Sequence, residues 1–317
     1  MLKYVIKRLV LMVFTFFIIA TICYVLVKLL PLPAIMEQGR DVNIVLARRE
    51  EMGYNKPIMV QYWIYWQHVF KGDFGLGEQM YVAREVSEVM FSKIPYTVVV
   101  NLYSIIIAIP LGLLFGIYAA LKKNTWQDHV ISTMVMVFIS VPSYVYAFLV
   151  QYLLCFKTGW FPLTILSRES AEFFSWPMFV SMFPAVLSLG FGTVAGLTRF
   201  TRAELSEVLT GEYLLLARTK GLTRSQAITR HAMRNAMVPI LPMILSEFIG
   251  ILGGSLIIES IFGIPGVGSL FVQSVNLRDY NFFMADTVFY TLIGLLSGLV
   301  TDLSYGFIDP RIKMGAR

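Results

Sequence analysis

The sequence predicts an all-α, polytopic membrane protein with six transmembrane helices. Three observations carry that expectation. Hydrophobic residues make up 57% of the 317 residues and charged residues 15%, against about 45–50% and about 25% in globular chains. Six runs reach the ~20 apolar residues that a bilayer crossing needs. Lys and Arg are also distributed unequally between the loops that join those runs. The same composition excludes a disordered chain, a collagen-like chain and a disulfide scaffold. Cys23 and Cys155 both lie in apolar runs and read better as small buried hydrophobes than as a bridged pair.

The runs cover 9–30, 97–121, 131–156, 178–198, 238–258 and 286–307. Their internal charges are Lys28, Glu247, Asp286 and Asp302. All but Glu247 lie near run ends, where a side chain reaches the headgroups. Glu247 sits mid-run, so it is expected to face a helix bundle or an aqueous path. Lys3, Lys7 and Arg8 before the first run look like a signal-peptide n-region. The apolar run is too long for one and no A-x-A site follows, so it reads as a retained anchor. With the N-terminus inside, fifteen Lys and Arg fall on inner segments and three, Lys157, Arg168 and Arg278, on short outer loops. That bias places both termini in the cytoplasm and accounts for the net charge of +6 without nucleic acid.

The 31–96 segment carries 7 basic and 8 acidic residues and reads as solvated. Met59, Trp63, Trp66 and Phe70 recur on one helical face, with Pro57 before them and Gly72 after. Tyr62, Trp63, Tyr65 and Trp66 suit a membrane–water interface. Such a helix either caps the bundle or offers a platform to an outside partner.

The 199–237 segment is the informative one. Arg199, Arg202, Glu204 and Glu207 continue the fourth run past the membrane. Gly211 interrupts that helix, and 213–220 forms a short second one ended by Gly221. Thr223 with Gln226 is a capping-box pair opening a third helix, expected to stop at Pro239.

Here the residues resemble a family. The string ARTKGL…RHAMRNAMVP, from Ala217 to Pro239, is similar to the cytoplasmic loop of ABC importer permease subunits, nearest to the oligopeptide, dipeptide and nickel branch. Leu215 replaces the superfamily's glutamate, and His231-Ala232-Met233-Arg234 replaces its Ile-x-Leu-Pro, as is usual in that branch. Further matches follow in order: the start of the chain, Gly72-Asp73-Phe74-Gly75, Ser140-Val141-Pro142-Ser143, Phe183-Pro184-Ala185, 197–202, 259–268 and Asp309-Pro310-Arg311. One departure is Pro31-Leu32-Pro33-Ala34, where the branch carries Pro-Gly-Asp-Pro. The long outer loop resembles the B-type subunit.

The resemblance implies a multi-pass permease of the bacterial plasma (inner) membrane that moves oligopeptides or dipeptides inward by alternating access. It divides the chain into 1–30, an N-terminal segment with the first span; 31–96, an extracytoplasmic loop with an interfacial helix; and 97–317, a five-helix core containing the 199–237 coupling loop. Implied partners are a second, paralogous permease, two ATPase subunits, an extracytoplasmic substrate-binding protein and the lipid bilayer. The coupling residues it implies are Ala217, Arg218, Lys220, Gly221, Leu222, Thr223, Gln226, His231, Arg234 and Asn235. Glu247, Pro142 and Ser143 are candidates for the translocation pathway.

No cofactor is expected in this chain, and ATP would be used by the partners: there is no G-x-x-x-x-G-K-[ST] loop. Gly263, Gly266 and Gly268 follow no strand and read as turns. His68, His129 and His231 lie far apart in sequence, so no metal site or enzymatic constellation is expected. Pro110, Gly112, Gly116, Pro142, Pro184, Gly190, Gly192, Gly250, Gly253 and Gly254 are kink or close-packing positions, and the sequence leaves gating and packing both open. The rival readings are a nickel-chelate importer of the same family and an ion-coupled secondary transporter, for which one mid-run carboxylate is thin.

Overall fold

The computed structural model describes residues 2–35 and 40–308. Among them the regular elements are helices: α1 (Leu2–Leu29), α2 (Arg40–Glu51), α3 (Ile58–Val69), α4 (Val86–Leu121), α5 (Trp126–Ser140), α6 (Ser143–Val150), α7 (Trp176–Val208), α8 (Glu212–Thr219), α9 (Arg224–Ala227), α10 (Met233–Gly250), α11 (Leu256–Ile261), α12 (Val267–Leu277) and α13 (Tyr280–Ile308). The Asp309-Pro310-Arg311 match and the basic tail to Arg317 lie outside the described residues.

Among the described residues five helices are long and apolar enough to cross a membrane, Tyr4–Leu29, Val86–Leu121, Trp176–Val208, Arg224–Gly253 and Tyr280–Ser304, and a bent pair makes a sixth span if it is counted as one. The expected third span is not one helix. Trp126–Ser140 and Ser143–Lys157 meet at a 102° bend. Pro142 disfavours helical geometry in the residue before it, and Val141 accordingly sits at φ −86°, ψ 128°. The expected stop at Pro239 is also absent: Pro239 and Pro242 lie inside α10. Each removes one ladder bond and leaves the helix intact. The fifth span ends instead at 250–255. There Ile251–Gly253 tightens to a 3-10 turn, Gly254 takes φ +55°, and the Ser255 hydroxyl caps α11 by accepting from Ile258 N–H at 3.3 Å.

Two compact units divide these elements, one from residues 2–98 with 252–296, the other from 99–251 with 297 onward. In the first, α3 lies along α1. Thr21 and Tyr62 share a 2.6 Å hydrogen bond, and the Phe17–Trp66 and Tyr24–Tyr65 ring centroids are 4.8 and 5.0 Å apart. The helical period expected for α3 holds, but its phase differs. Tyr65 and Trp66 are buried, whereas Met59, Trp63 and Phe70 are 77%, 66% and 73% exposed. The face chosen is the one whose hydroxyls and rings find partners on α1.

The rest of the 31–96 segment is held by carboxylates. Asp73 accepts from Gly75 N–H at 2.9 Å, pairs with His68 Nδ1 at 2.7 Å, and takes an ion pair from Arg48 of α2. Buried Asp279 accepts from three successive N–H groups, those of Glu78, Gln79 and Met80, at 2.7–2.9 Å. Arg49 clasps Glu78, with Nε at 3.0 Å from Oε1.

A fourth carboxylate organises the 254–269 turn. Glu259 is fully buried. It accepts from the Thr97 hydroxyl at 3.0 Å and from Ser269 N–H at 3.1 Å, and also from Gly268 N–H. The Thr97 oxygen in turn accepts from Val267 N–H at 2.9 Å. A Cβ at Gly254, Gly266 or Gly268 would collide with this carboxylate. The glycine spacing that reads as a loose turn is therefore a cradle for an internal anion. Asp286, expected to reach the headgroups, is instead fully buried, because α13 begins at Tyr280 and carries it two turns inward. Neither of its oxygens has a hydrogen-bond partner among the described residues.

In the second unit, Gly112 and Gly116 let α4 approach α7. Cβ atoms there would fall 2.7 Å from Leu197 Cβ and 2.6 Å from Thr201 Cβ. Thr198 donates to the Gly112 carbonyl at 3.2 Å. Close packing is thus the role of these two glycines.

Gly266→Ala is expected to lower the stability of the purified chain in detergent by roughly 1–3 kcal/mol through overpacking against Glu259. Gly250→Ala, whose Cβ meets nothing within 4 Å, should leave the melting temperature unchanged. Equal melting of both variants would remove the cradle argument.

The Asp73 clip predicts a pH dependence. Burial raises its carboxyl, but hydrogen bonds from Arg48, Gly75 N–H and His68 outweigh that and hold it at about 2. A carboxylate depressed on folding contributes stability above its ordinary range of about 4, lost as pH falls through about 2. Amides of 72–85 should keep their intrinsic-rate-corrected exchange protection at about pH 4 and lose it toward about pH 2. In Asp73→Asn that transition should vanish.

Candidate functional site

The candidate site is the elbow that joins α7 to α10. Its geometry follows from local chemistry. α8 ends in a paired-bond C-cap: Gly221 N–H donates to the Arg218 carbonyl at 3.0 Å and Leu222 N–H to the Ala217 carbonyl at 3.4 Å. Gly221 holds φ +88°. Two residues later Thr223 accepts from Gln226 N–H at 3.3 Å, and Gln226 Oε1 accepts from Thr223 N–H at 3.1 Å. This closes the expected capping box. A π-helical turn, Ile228–Ala232, then feeds α10.

Small residues seat the elbow. Leu214, Ala217, Ala227, Ala232 and Ala236 are buried together with Leu205 of α7, Ala120 of α4 and Ile240 of α10, and Leu222 packs against them. Of the ten expected coupling residues, Ala217 is buried and Leu222 half-buried. Arg218, Lys220, Gly221, Thr223, Gln226, His231, Arg234 and Asn235 are exposed. The structure thus separates them into a seat and a surface. Leu215 and Leu216 were not expected at the site, yet they are 64% and 55% exposed in the middle of α8. The available signal was their phase: with Leu214 and Ala217 facing inward, their neighbours must face out.

An ion pair ties the elbow's root to the start of α5. Asp128, whose side chain is 1% exposed, accepts from Arg202 Nη2 at 2.8 Å, from Asn124 N–H at 2.9 Å and from Ser132 Oγ at 3.3 Å. Arg202 also donates through Nε. A buried carboxylate with this many donors is satisfied, and a two-pronged guanidinium fixes its orientation.

The pathway candidates are not brought into one cluster. Glu247 is half-buried on α10 and accepts from Thr193 of α7 at 3.3 Å, so it faces a helix as expected. Pro142 and Ser143 stand exposed at the α5–α6 bend, and no hydrogen bond joins them to Glu247. Among the described residues no three His, Cys, Asp or Glu side chains group as metal ligands.

Comparison with known proteins decides the family. Residues 112–314 match the family described as binding-protein-dependent transport system inner membrane component, and residues 1–101 match its N-terminal counterpart. The chain belongs to this family of ABC importer permeases. The permease is similar to the glutathione transport system permease protein GsiC of Salmonella typhi, 35% identical over 316 residues and covering 99% of each chain. It is also 32% identical to the dipeptide transport system permease protein DppB of Lactococcus lactis subsp. cremoris, over 99% of this chain and 100% of that one. Those relatives are transport subunits, not enzymes. Among solved structures, an inward-facing MetNI methionine ABC transporter aligns with TM-score 0.53 and 17% identity over 70% of this permease and 95% of that chain. An amino acid ABC transporter solved with histidines aligns with TM-score 0.51 and 20% identity over 68% and 92%. At that identity the likeness concerns the fold. The permease is a multi-pass protein of the bacterial inner membrane, working with ATPase and substrate-binding partners.

Proposed function

We propose that this permease imports small peptides by alternating access. The observation that carries the proposal is near-full-length similarity to permeases named for glutathione and for dipeptides. In this reading a second, paralogous permease completes the pathway, and two ATPase subunits outside the chain supply the energy. Both termini and the elbow face the cytoplasm, as the loop charges predict. The exposed middle of α8, Leu215 and Leu216 followed by Arg218 and Lys220, is the contact for an ATPase. An apolar knob ringed by cations suits a groove with an acidic rim. The buried alanine seat passes its movement to α4, α7 and α10, because packed helices shift as rigid bodies between discrete arrangements. Glu247 lines the path and offers a weak contact to a cationic peptide terminus.

The test is reconstitution of the permease with its cognate ATPases, second permease and binding protein in proteoliposomes. ATP-dependent uptake of dipeptides or glutathione is the expected result. Uptake of nickel chelates without peptides, or peptide uptake independent of the ATPases, would overturn the reading.

Gly221 gives a sharper test of coupling. A Cβ there meets nothing within 4 Å, so only the left-handed backbone resists substitution. Gly221→Val is expected to insert normally, yet lose transport at least tenfold and weaken cargo-stimulated ATP hydrolysis. Gly221→Asn, which tolerates that backbone region, should retain most activity. Equal behaviour of the two variants would show that the cap conformation does not matter.

A further inference from the structure

A cleft of about 400 Å³ lies behind the elbow, between the end of α4, the end of α7 and the α8–α9 corner. Three cations line it, Lys123, Arg218 and Arg224, and no carboxylate does. Among the described residues none of the three makes a salt bridge or a side-chain hydrogen bond. The cleft also receives Ser206, which is 7% exposed. Its hydroxyl is buried without any hydrogen-bond partner. A hydroxyl removed from water and left unpaired is unfavourable. Three solvent-exposed cations on one cleft give it a positive potential that attracts an anion.

From these two independent features we infer that the cleft is a binding site for a phosphate group. A phosphate offers several acceptor oxygens and more than one negative charge. It can therefore accept from two guanidinium groups and an ammonium together, and from the Ser206 hydroxyl once that side chain turns out of its buried rotamer, which a single carboxylate cannot do as fully. The phosphate can belong to an anionic lipid headgroup, since the site lies where α4 leaves the membrane, with Trp126 71% exposed nearby in sequence. It can equally belong to a small soluble phosphate compound. Either ligand would bridge the elbow to α4 and α7, and so bias the element that the proposed coupling uses. The chemistry of the cleft stands whether or not the transport reading does.

The experiment uses the full chain purified in detergent and in bilayer nanodiscs. Inorganic phosphate is titrated by calorimetry. Retention of phosphatidylglycerol against phosphatidylcholine is read by native mass spectrometry. Saturable phosphate binding, or preferential retention of phosphatidylglycerol, is expected in the wild type. Lys123→Gln and Arg224→Gln should each weaken it roughly fivefold, and Ser206→Ala by less. Lys123→Arg keeps the charge and should keep binding, which guards against a variant that merely unfolds. Phosphate binding without lipid preference assigns the site to soluble phosphates, and the reverse pattern assigns it to headgroups. Absence of both in the wild type, or binding indifferent to Lys123, Arg224 and Ser206, would overturn the site. If the glutamine variants instead lose only ATPase capture, the cations serve a protein carboxylate and the proposal fails.

Discussion

A backbone inside a membrane has no water to bond, so every interruption of a helix must be satisfied from within the chain. The folded chain is organised around that constraint. After α10 the helix breaks, and the following turn directs N–H groups inward with no ladder to receive them. Glu259 accepts from those of Gly268 and Ser269, and Thr97 accepts from that of Val267 while its own hydroxyl donates to Glu259. One carboxylate and one hydroxyl thereby replace a missing turn of helix. Outside the expected spans, Asp279 likewise accepts from the three N–H groups at 78–80. Among the buried acids Glu259, Asp279 and Asp128 are structural acceptors, whereas Asp286 accepts from none of the described residues.

Its glycines then separate into kinds by what surrounds them. Gly112 and Gly116 are held against α7, and bending there would have to break that packing. Gly254, Gly266 and Gly268 make room for an anion. Gly221 has room for a Cβ and is needed for its left-handed dihedral. Gly250 and Gly253 meet nothing within 4 Å, beside the 3-10 turn that ends the fifth span. Of the positions the sequence left open between packing and gating, these two retain room to flex.

Local signals were legible in the sequence, and long-range ones were not. The elbow could be read because Gly221 and the Thr223–Gln226 pair act over three to five residues. The long helices could be read because apolar length is a property of one segment. The Glu259 cradle could not, since Thr97 stands far upstream and the glycines alone resemble an ordinary turn. The phase of α3 was decided by Thr21 and Tyr24 on another helix. Pro239 misled because a proline rule drawn from soluble helices counts the lost bond but not the neighbours that hold the helix in place. Asp286 misled because its depth depended on where α13 starts, a boundary that hydropathy blurs.

The elbow inverts the constraint that governs the spans. Outside the bilayer, water can satisfy a loose connection, and a flexible loop would be the simplest join between α7 and α10. The chain instead closes both ends of the corner with internal bonds, a paired-bond cap at Gly221 and a reciprocal box at Thr223. It then seats the corner on alanines, which lose almost no side-chain entropy on burial. It also anchors the root through the Arg202–Asp128 pair. Each feature adds local order to the corner. A stiff corner conveys displacement, whereas a slack one absorbs it. Internal bonds at both ends of the corner suit the coupling role proposed for it.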